Sequence, residues 1–109
     1  MVEQKLSQNK SITMIRVIEI IEKNPYYLLC RFNNGLVKKL DVLPIIKNHT
    51  HLKGVDSLLN ETVFKNVRIG EFGELVWDKI VKTTDNGVVI YWDYDISPEY
   101  AYQNGDVNS

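Results

Sequence analysis

The stretch Tyr26–Asp41, YYLLCRFNNGLVKKLD, decides the fold of this 109-residue chain. Two strand-like runs flank Asn33-Asn34-Gly35, a strong signal for a β-hairpin. A two-residue turn at Asn34-Gly35 would place Leu28 opposite Asp41, and so mix apolar and charged side chains on one face. A three-residue loop, with Gly35 as a left-handed bulge, gathers the apolar side chains on one face. We therefore predict this second register, which pairs Phe32 with Leu36, Cys30 with Lys38 and Leu28 with Leu40.

Composition bounds the class of protein. Hydrophobic residues make up 44% and charged residues 25% of the chain, values typical of a globular domain. The formal net charge of −1 gives no electrostatic case for direct binding of nucleic acid or of an anionic membrane. The single cysteine excludes an intrachain disulfide, and no long apolar run is present. We therefore expect a cytoplasmic protein of bacterial type that does not bind a membrane.

The chain divides into one domain and two polar ends. Residues 1–11 offer little to a packed core, so we predict a flexible N-terminal segment there. Residues 12–102 carry the apolar patterns and predict a single α+β domain. Residues 103–109 are polar and contain glycine, which predicts a flexible C-terminal tail.

Further short elements are predicted around the central hairpin. β-Branched residues favour a strand over 12–21, ended by the sequence that leads to Pro25. Asp41 is the N-cap candidate for a short helix, and a second helical turn is expected near residues 60–65. Strands over 67–69, 74–84 and 88–92 predict a second antiparallel unit. Ser97-Pro98 begins a last helical turn that carries Tyr100 and Tyr102 onto the sheet. The predicted fold is thus α+β, with two antiparallel β units and two or three short helices.

Two histidines, His49 and His51, raise the possibility of a metal site. Two imidazoles two residues apart in an extended segment can point to one side, but a closed site needs three or four ligands. Cys30 is predicted to face the core, and the chain has no further histidine. We therefore predict a solvated loop here, with no metal and no cofactor.

Carboxylates near the C-terminal sheet offer a second kind of chemistry. Paired carboxylates can act as acid and base or hold a divalent cation. The competing interpretation is structural: Asp95 ends a strand, Glu99 complements a helix N-terminus and Asp93 is solvated. We favour the structural interpretation, because no base accompanies a nucleophile in this stretch. The residues concerned are Asp78, Asp93, Asp95 and Glu99.

The densest aromatic group of the chain lies in the same region. Aromatic side chains with polar tips are favoured at protein interfaces, and core packing is the alternative. We favour packing for Trp77 and Trp92 and leave both interpretations open for Tyr94 and Tyr102. The residues that we predict to bind a partner, if the group is an interface, are Trp92, Tyr94, Asp95, Tyr100 and Tyr102.

Four motifs in a fixed order resemble the bacterial domain-of-unknown-function family 2442. They are Phe32-Asn33-Asn34-Gly35, Leu40-Asp41-Val42, Phe64-Lys65-Asn66-Val67 and the stretch from Trp92 to Tyr102, WDYDISPEYAY. The resemblance implies a compact α+β domain without an assigned reaction or cofactor. It also implies a genetic neighbour of a second small family, in an arrangement like a toxin–antitoxin pair. This chain departs from the family in an extension, Asp78 to Asn86, that lengthens the hairpin between Trp77 and Trp92.

Three functions follow as hypotheses. The first is a non-catalytic module that binds another protein through a sheet edge or the aromatic region. It would be an antitoxin-like partner of a neighbouring gene product, and a homodimer through a sheet edge is a variant of it. The second is a small metal-dependent or carboxylate-based hydrolase that uses Asp93, Asp95 and Glu99. The third, a regulator linked to nucleic acid, is the least supported because the net charge is near zero.

Overall fold

The computed structural model describes residues 14–107 and has the predicted α+β class, with two antiparallel sheets. The strands are β1 (Val17–Asn24), β2 (Tyr27–Phe32), β3 (Val37–Asp41), β4 (Arg68–Ile69), β5 (Leu75–Asp85), β6 (Val88–Ile96) and β7 (Asp106–Val107). The first sheet has the order β1-β2-β3-β7 and the second the order β4-β5-β6. The helices are α1 (Leu43–Asn48), α2 (Glu61–Lys65) and α3 (Pro98–Asn104), and a 3₁₀ turn spans Val55–Leu59.

The central hairpin has the predicted bulged register. Leu28 lies opposite Leu40 and Cys30 opposite Lys38. The Phe32 N–H donates to the Leu36 carbonyl at 2.9 Å, which closes the three-residue loop. Gly35 has φ +91°, the left-handed conformation that this loop requires. On the apolar face, Leu28, Cys30, Phe32 and Leu40 are consequently buried. Leu36, beside the turn, is 40% exposed.

The first strand is shifted from its prediction. It begins at Val17 and continues to Asn24, whereas the sequence predicts 12–21; residues 12 and 13 lie outside the described range. β1 is an edge strand, so Glu22 and Lys23 can pair through their backbone while their side chains remain in water. The turn at Pro25 ends the strand, as predicted, but the charged residues before it do not.

The two internal helices begin in different ways. The N-cap of α1 is Val42, which makes no side-chain capping bond, so the prediction of Asp41 as the N-cap is wrong by one residue. Asp41 accepts a hydrogen bond from the Leu43 N–H at 3.2 Å just before α1. The Asn60 side chain accepts from the N–H groups of Thr62 and Val63, which fixes the start of α2. Both helices lie where the sequence predicts them, and the 3₁₀ turn between them is an additional element with Val55 buried.

The prediction of a free tail from Gln103 is wrong as far as Val107. Helix α3 continues to Asn104, and β7 pairs with Lys38 and Lys39 of β3. Polar side chains do not prevent this pairing, because its hydrogen bonds are made by backbone groups. In pairing, β7 covers the edge of β3 that would otherwise be open. The predicted flexible segment 1–11 and residues 108–109 lie outside the described residues.

Both sheets contribute to one hydrophobic core. Leu28, Phe32 and Leu40 of the first sheet belong to the same buried cluster as Leu75 and Trp77 of the second. The Trp77 indole N–H donates to the Phe64 carbonyl at 2.9 Å, so its polar atom is satisfied inside the core. Across residues 14–107, no helix is long and apolar enough to cross a membrane.

The hairpin of β5 and β6 leaves this core at a bulge. The pairing shifts register between Trp77 and Val81, and Lys79 there has φ +54°. Beyond the bulge the strands pair regularly from Val81–Trp92 to Asp85–Val88 and turn at Asn86-Gly87, two residues with positive φ. We call residues 81–92 the arm. It contains most of the extension noted in the sequence, and side chains on both of its faces are exposed.

Candidate functional site

A pocket of about 160 Å³ lies at the end of β6, beside the start of α3. Three of the five predicted partner-binding residues, Tyr94, Asp95 and Tyr100, line it together. Helix α1 contributes Ile45, and the loop that follows contributes His49. The pocket is large enough for one side chain of a partner. The full lining is Ile45, His49, Tyr94, Asp95, Ile96, Ser97 and Tyr100.

His49 and Tyr94 form the polar centre of the pocket. The Tyr94 hydroxyl lies 2.5 Å from His49 Nδ1, with the two rings edge to face. Burial raises the pKa of Tyr94 to about 12, so its hydroxyl is protonated at neutral pH and can donate to the imidazole. Across residues 14–107, no three His, Cys, Asp or Glu side chains converge as metal ligands would. The pair thus orients His49 against the strand.

Three of the four carboxylates of interest lie around one cation, Arg68. Its Nη2 atom is 2.8 Å from Asp78 and 3.9 Å from Asp93. Asp93 and Asp95 also line a cleft beside Arg68. Asp78 receives two short hydrogen bonds from Arg68, and these bonds hold the pKa of Asp78 below its ordinary value. Asp93 accepts from the Lys79 N–H at 3.0 Å, which stabilises the bulge. Asp95 lines the pocket, and Glu99 is exposed in the first turn of α3.

Tyr102 lies away from the pocket, on the first sheet. Its ring packs edge-on against Phe32 at 5.2 Å between centroids, and Lys38 Nζ lies 3.7 Å from the ring centre. Its hydroxyl accepts from Asn34 Nδ2 at 3.1 Å. Tyr102 thus docks α3 onto the central hairpin, whereas Tyr100 does not pack on the sheet as predicted and is 45% exposed.

The two tryptophans have different environments. Core packing is confirmed for Trp77, which is 1% exposed, and is wrong for Trp92, which is 55% exposed on the arm. The bulge explains the difference, because Trp92 is paired with Val81, the first residue beyond it. Trp92 donates its indole N–H to Thr83 Oγ1 at 2.8 Å and leaves most of the ring in water.

Strand β6 presents an exposed apolar edge that the sequence analysis did not identify. Within residues 14–107, β6 is hydrogen-bonded on one side, to β5. Three more large side chains near Trp92 are exposed: Val88 at 60%, Val89 at 45% and Tyr91 at 54%. The signal in the sequence is the uncharged run VVIYW at 88–92. It predicts a strand, but it does not say that the strand is an exposed edge.

The backbone of this edge points outward at alternate residues. The Lys82 N–H donates to the Lys53 carbonyl at 2.8 Å, so Lys82 turns its backbone away from β6. Its partner Tyr91 must then turn its own N–H and C=O away from β5, because opposed residues in an antiparallel pair do so together. By the same alternation, the outward-facing backbone groups are those of Val89, Tyr91, Asp93 and Asp95.

The other long edge of the molecule is protected in the ordinary way. β1 carries Glu19, Glu22 and Lys23 and has two register shifts, features that discourage pairing with another chain. The arm portion of β6, from Val88 to Trp92, contains no charge, proline or bulge. The contrast between the two edges singles out β6 as the surface where another strand can add.

Comparison with protein-family models, with curated proteins and with solved structures gave no match. The resemblance to family 2442 therefore stays a prediction, and the pocket and the edge must carry the functional argument by their own chemistry.

Proposed function

We propose that this protein is a small non-catalytic module that binds another protein through the exposed edge of β6. The observation that carries the proposal is a nine-residue edge strand whose distal half lacks the usual protections. An extended segment added to such an edge gains backbone hydrogen bonds, and its alternate side chains supply specificity.

The pocket at the end of β6 can make binding at this edge specific, because it can accept a side chain of the bound segment. It lies where β6 ends, so a segment that runs along the strand reaches the exposed Asp95 and Tyr100, while Tyr94 forms the buried wall of the pocket. Asp95 and the Tyr100 ring suit a basic or an apolar side chain. Three of the five residues predicted to bind a partner, Trp92, Asp95 and Tyr100, are exposed on β6 or beside its end, which supports the proposal. Tyr94 is 6% exposed and belongs to the core, and Tyr102 supports the fold instead.

Two partners follow from the hypotheses made on the sequence. One is the product of a neighbouring gene, for which this chain would be an antitoxin-like partner. The other is a second copy of the chain, paired through a sheet edge. Both use the same strand, so one set of variants tests the surface for both.

The test co-expresses the protein with the product of the adjacent gene and measures the size of the purified species. We expect a larger species with the wild-type chain and its loss with Tyr91→Lys, which adds a charge to the exposed edge. Ile18→Lys is the matched control, because Ile18 is 54% exposed on the protected edge strand β1. Equal loss of the complex in both variants, or a wild-type chain that stays monomeric and binds no neighbouring gene product, contradicts the proposal.

The hydrolase alternative retains two supporting observations. Asp95 and His49 line the same pocket, and Asp93 and Asp95 line a second cleft beside Arg68. Ser97 is not available as a nucleophile there, because its hydroxyl oxygen caps α3 through the Tyr100 N–H at 3.1 Å. Asp95→Asn is the discriminating variant. Loss of a hydrolytic activity without a change in melting temperature would support the alternative, and an inactive wild-type protein in a broad hydrolase screen would remove it.

A further inference from the structure

We infer that the β6 edge binds the β6 edge of a second copy, antiparallel and about a two-fold axis at Trp92. The result is a continuous six-stranded sheet, β4-β5-β6 followed by β6-β5-β4 of the second copy. This inference rests on the proposed function and commits it to one partner and one register. Three features of the arm and the pocket support it.

The first feature is the length of the strand on either side of Trp92. β6 runs from Val88 to Ile96, so Trp92 is its midpoint and this axis pairs all nine residues. Such a ladder is about 30 Å long. The outward-facing residues meet one another in this register: Tyr91 pairs with Asp93 of the second copy, and Val89 with Asp95. Backbone donors and acceptors therefore face each other as an antiparallel ladder requires.

The second feature is charge. Lys82 lies directly across from Tyr91 within one copy, and Tyr91 lies directly across from Asp93 of the second copy. Lys82 of one copy and Asp93 of the second copy then lie on either side of the Tyr91 ring, on the same face of the sheet. The two-fold axis generates the same arrangement a second time. In its own copy Asp93 accepts from the Lys79 N–H and lies 3.9 Å from Arg68, so Lys82 of the second copy would be an additional cation near this carboxylate.

Other registers lose this complementarity. An axis at Tyr94 places Asp93 opposite Asp95 of the second copy, and like charges directly opposite are destabilising. An axis at Ile90 reduces the ladder to the five residues of 88–92. An axis at Tyr91 avoids opposed aspartates, but it pairs only seven residues instead of nine. In that register Asp93 no longer lies opposite Tyr91, the residue that pairs with Lys82.

The third feature is the pocket. With the axis at Trp92, Val88 of the second copy lies opposite Ile96, which lines the pocket. Val88 is 60% exposed at the end of the arm, and the pocket offers it the apolar side chains of Ile45 and Ile96. The arm of each copy would thus cover the candidate site of the other. This covering also gives the two-stranded arm a partner, which a hairpin needs for stability in water.

A charge exchange at Trp92 tests the register directly, because Trp92 meets itself across the axis. Trp92→Lys and Trp92→Glu each place like charges opposite one another, whereas a mixture of the two variants places opposite charges there. Sedimentation equilibrium of the wild-type chain should show a dimer. Each variant alone should dissociate at least about tenfold more readily, and the equimolar mixture should recover a dimer that native mass spectrometry identifies as mixed.

Three results would overturn the inference: a wild-type chain that stays monomeric, single variants that dimerise like wild type, or a mixture without mixed dimers. Circular dichroism of each variant checks the fold, which the exposure of Trp92 should allow it to keep. A monomeric chain that still binds the product of its neighbouring gene through Tyr91 would refute the second copy as partner and leave the proposed function standing.

Discussion

At the scale of single residues, two glycines with the same backbone strain have different surroundings. Gly35 has φ +91° and nothing within 4 Å of the position that a Cβ would occupy. Gly54 has φ +101°, and a Cβ there would lie 2.1 Å from the carbonyl oxygen of Ile80. The sequence indicates the first glycine through its turn motif. The second depends on a close approach between chain segments that no local pattern reveals.

We predict that Gly54→Ala destabilises the protein more than Gly35→Ala. The left-handed conformation costs alanine roughly 1–2 kcal/mol at either position. At Gly54 the contact with the Ile80 backbone adds roughly 1–3 kcal/mol, since a backbone atom cannot move aside as a flexible side chain can. Urea unfolding of both variants measures the difference, and equal losses would show that the loop at Gly54 relaxes freely.

Cys30 gives a residue-scale prediction for alkaline pH. Burial raises the pKa of its thiol to about 12, above the ordinary value of 9.0. The native state therefore keeps the proton longer than the unfolded state does, so stability is full below pH 9 and falls as the pH rises toward 12. The slope from one such group is at most about 1.4 kcal/mol per pH unit.

Urea unfolding between pH 8.5 and 10 should show this fall for the wild-type chain and a shallower fall for Cys30→Ala. The upper limit of pH 10 matters because burial also raises the pKa of Tyr94, from 10.0 to about 12, which adds a loss of the same sign above that pH. Parallel pH profiles for the two proteins would mean that the Cys30 thiol does not contribute.

At the scale of elements, local chemistry predicts the starts of helices and the turns of hairpins. Asn60, Ser97 and the Asn33-Asn34-Gly35 loop all have the roles that their residue types indicate. The ends are less predictable, because β1, β6 and α3 continue through polar residues that backbone pairing or helical bonds accommodate. The polarity of the side chains can be read from the sequence. The ends of these elements depend instead on which backbone N–H and C=O groups form hydrogen bonds in the folded chain.

The cap of α3 gives a prediction for one element. Ser97→Ala removes the acceptor for the Tyr100 N–H and should cost about 1 kcal/mol, whereas Ser97→Asp keeps an acceptor and should cost much less. Because α3 carries Tyr102 and leads into β7, thermal unfolding followed by circular dichroism should report the loss globally. Identical melting temperatures for the alanine variant and wild type would mean that packing, and not the Ser97 cap, stabilises α3.

At the scale of the whole molecule, the sequence predicts the α+β class, the central register and the buried cysteine, because alternation and turn chemistry are local. It does not predict that Trp92 leaves the core or that β6 forms an edge. Those properties follow from the bulge at Lys79 and from the order of strands, which depend on contacts between distant segments. Trp92, Tyr94 and Tyr100 were identified through their aromatic character, whereas the exposed edge at Val88, Val89 and Tyr91 and the position of His49 in the pocket required the fold.

Amide hydrogen exchange distinguishes the exposed edge of β6 from the side of the strand that is paired with β5. The N–H groups of Val88, Ile90 and Trp92 face β5 and should be protected at any protein concentration, whereas those of Val89, Tyr91, Asp93 and Asp95 face outward. We expect these four amides to exchange rapidly in dilute protein and to become protected at high concentration or with the product of the neighbouring gene. Rapid exchange of all four under every one of these conditions would contradict this prediction.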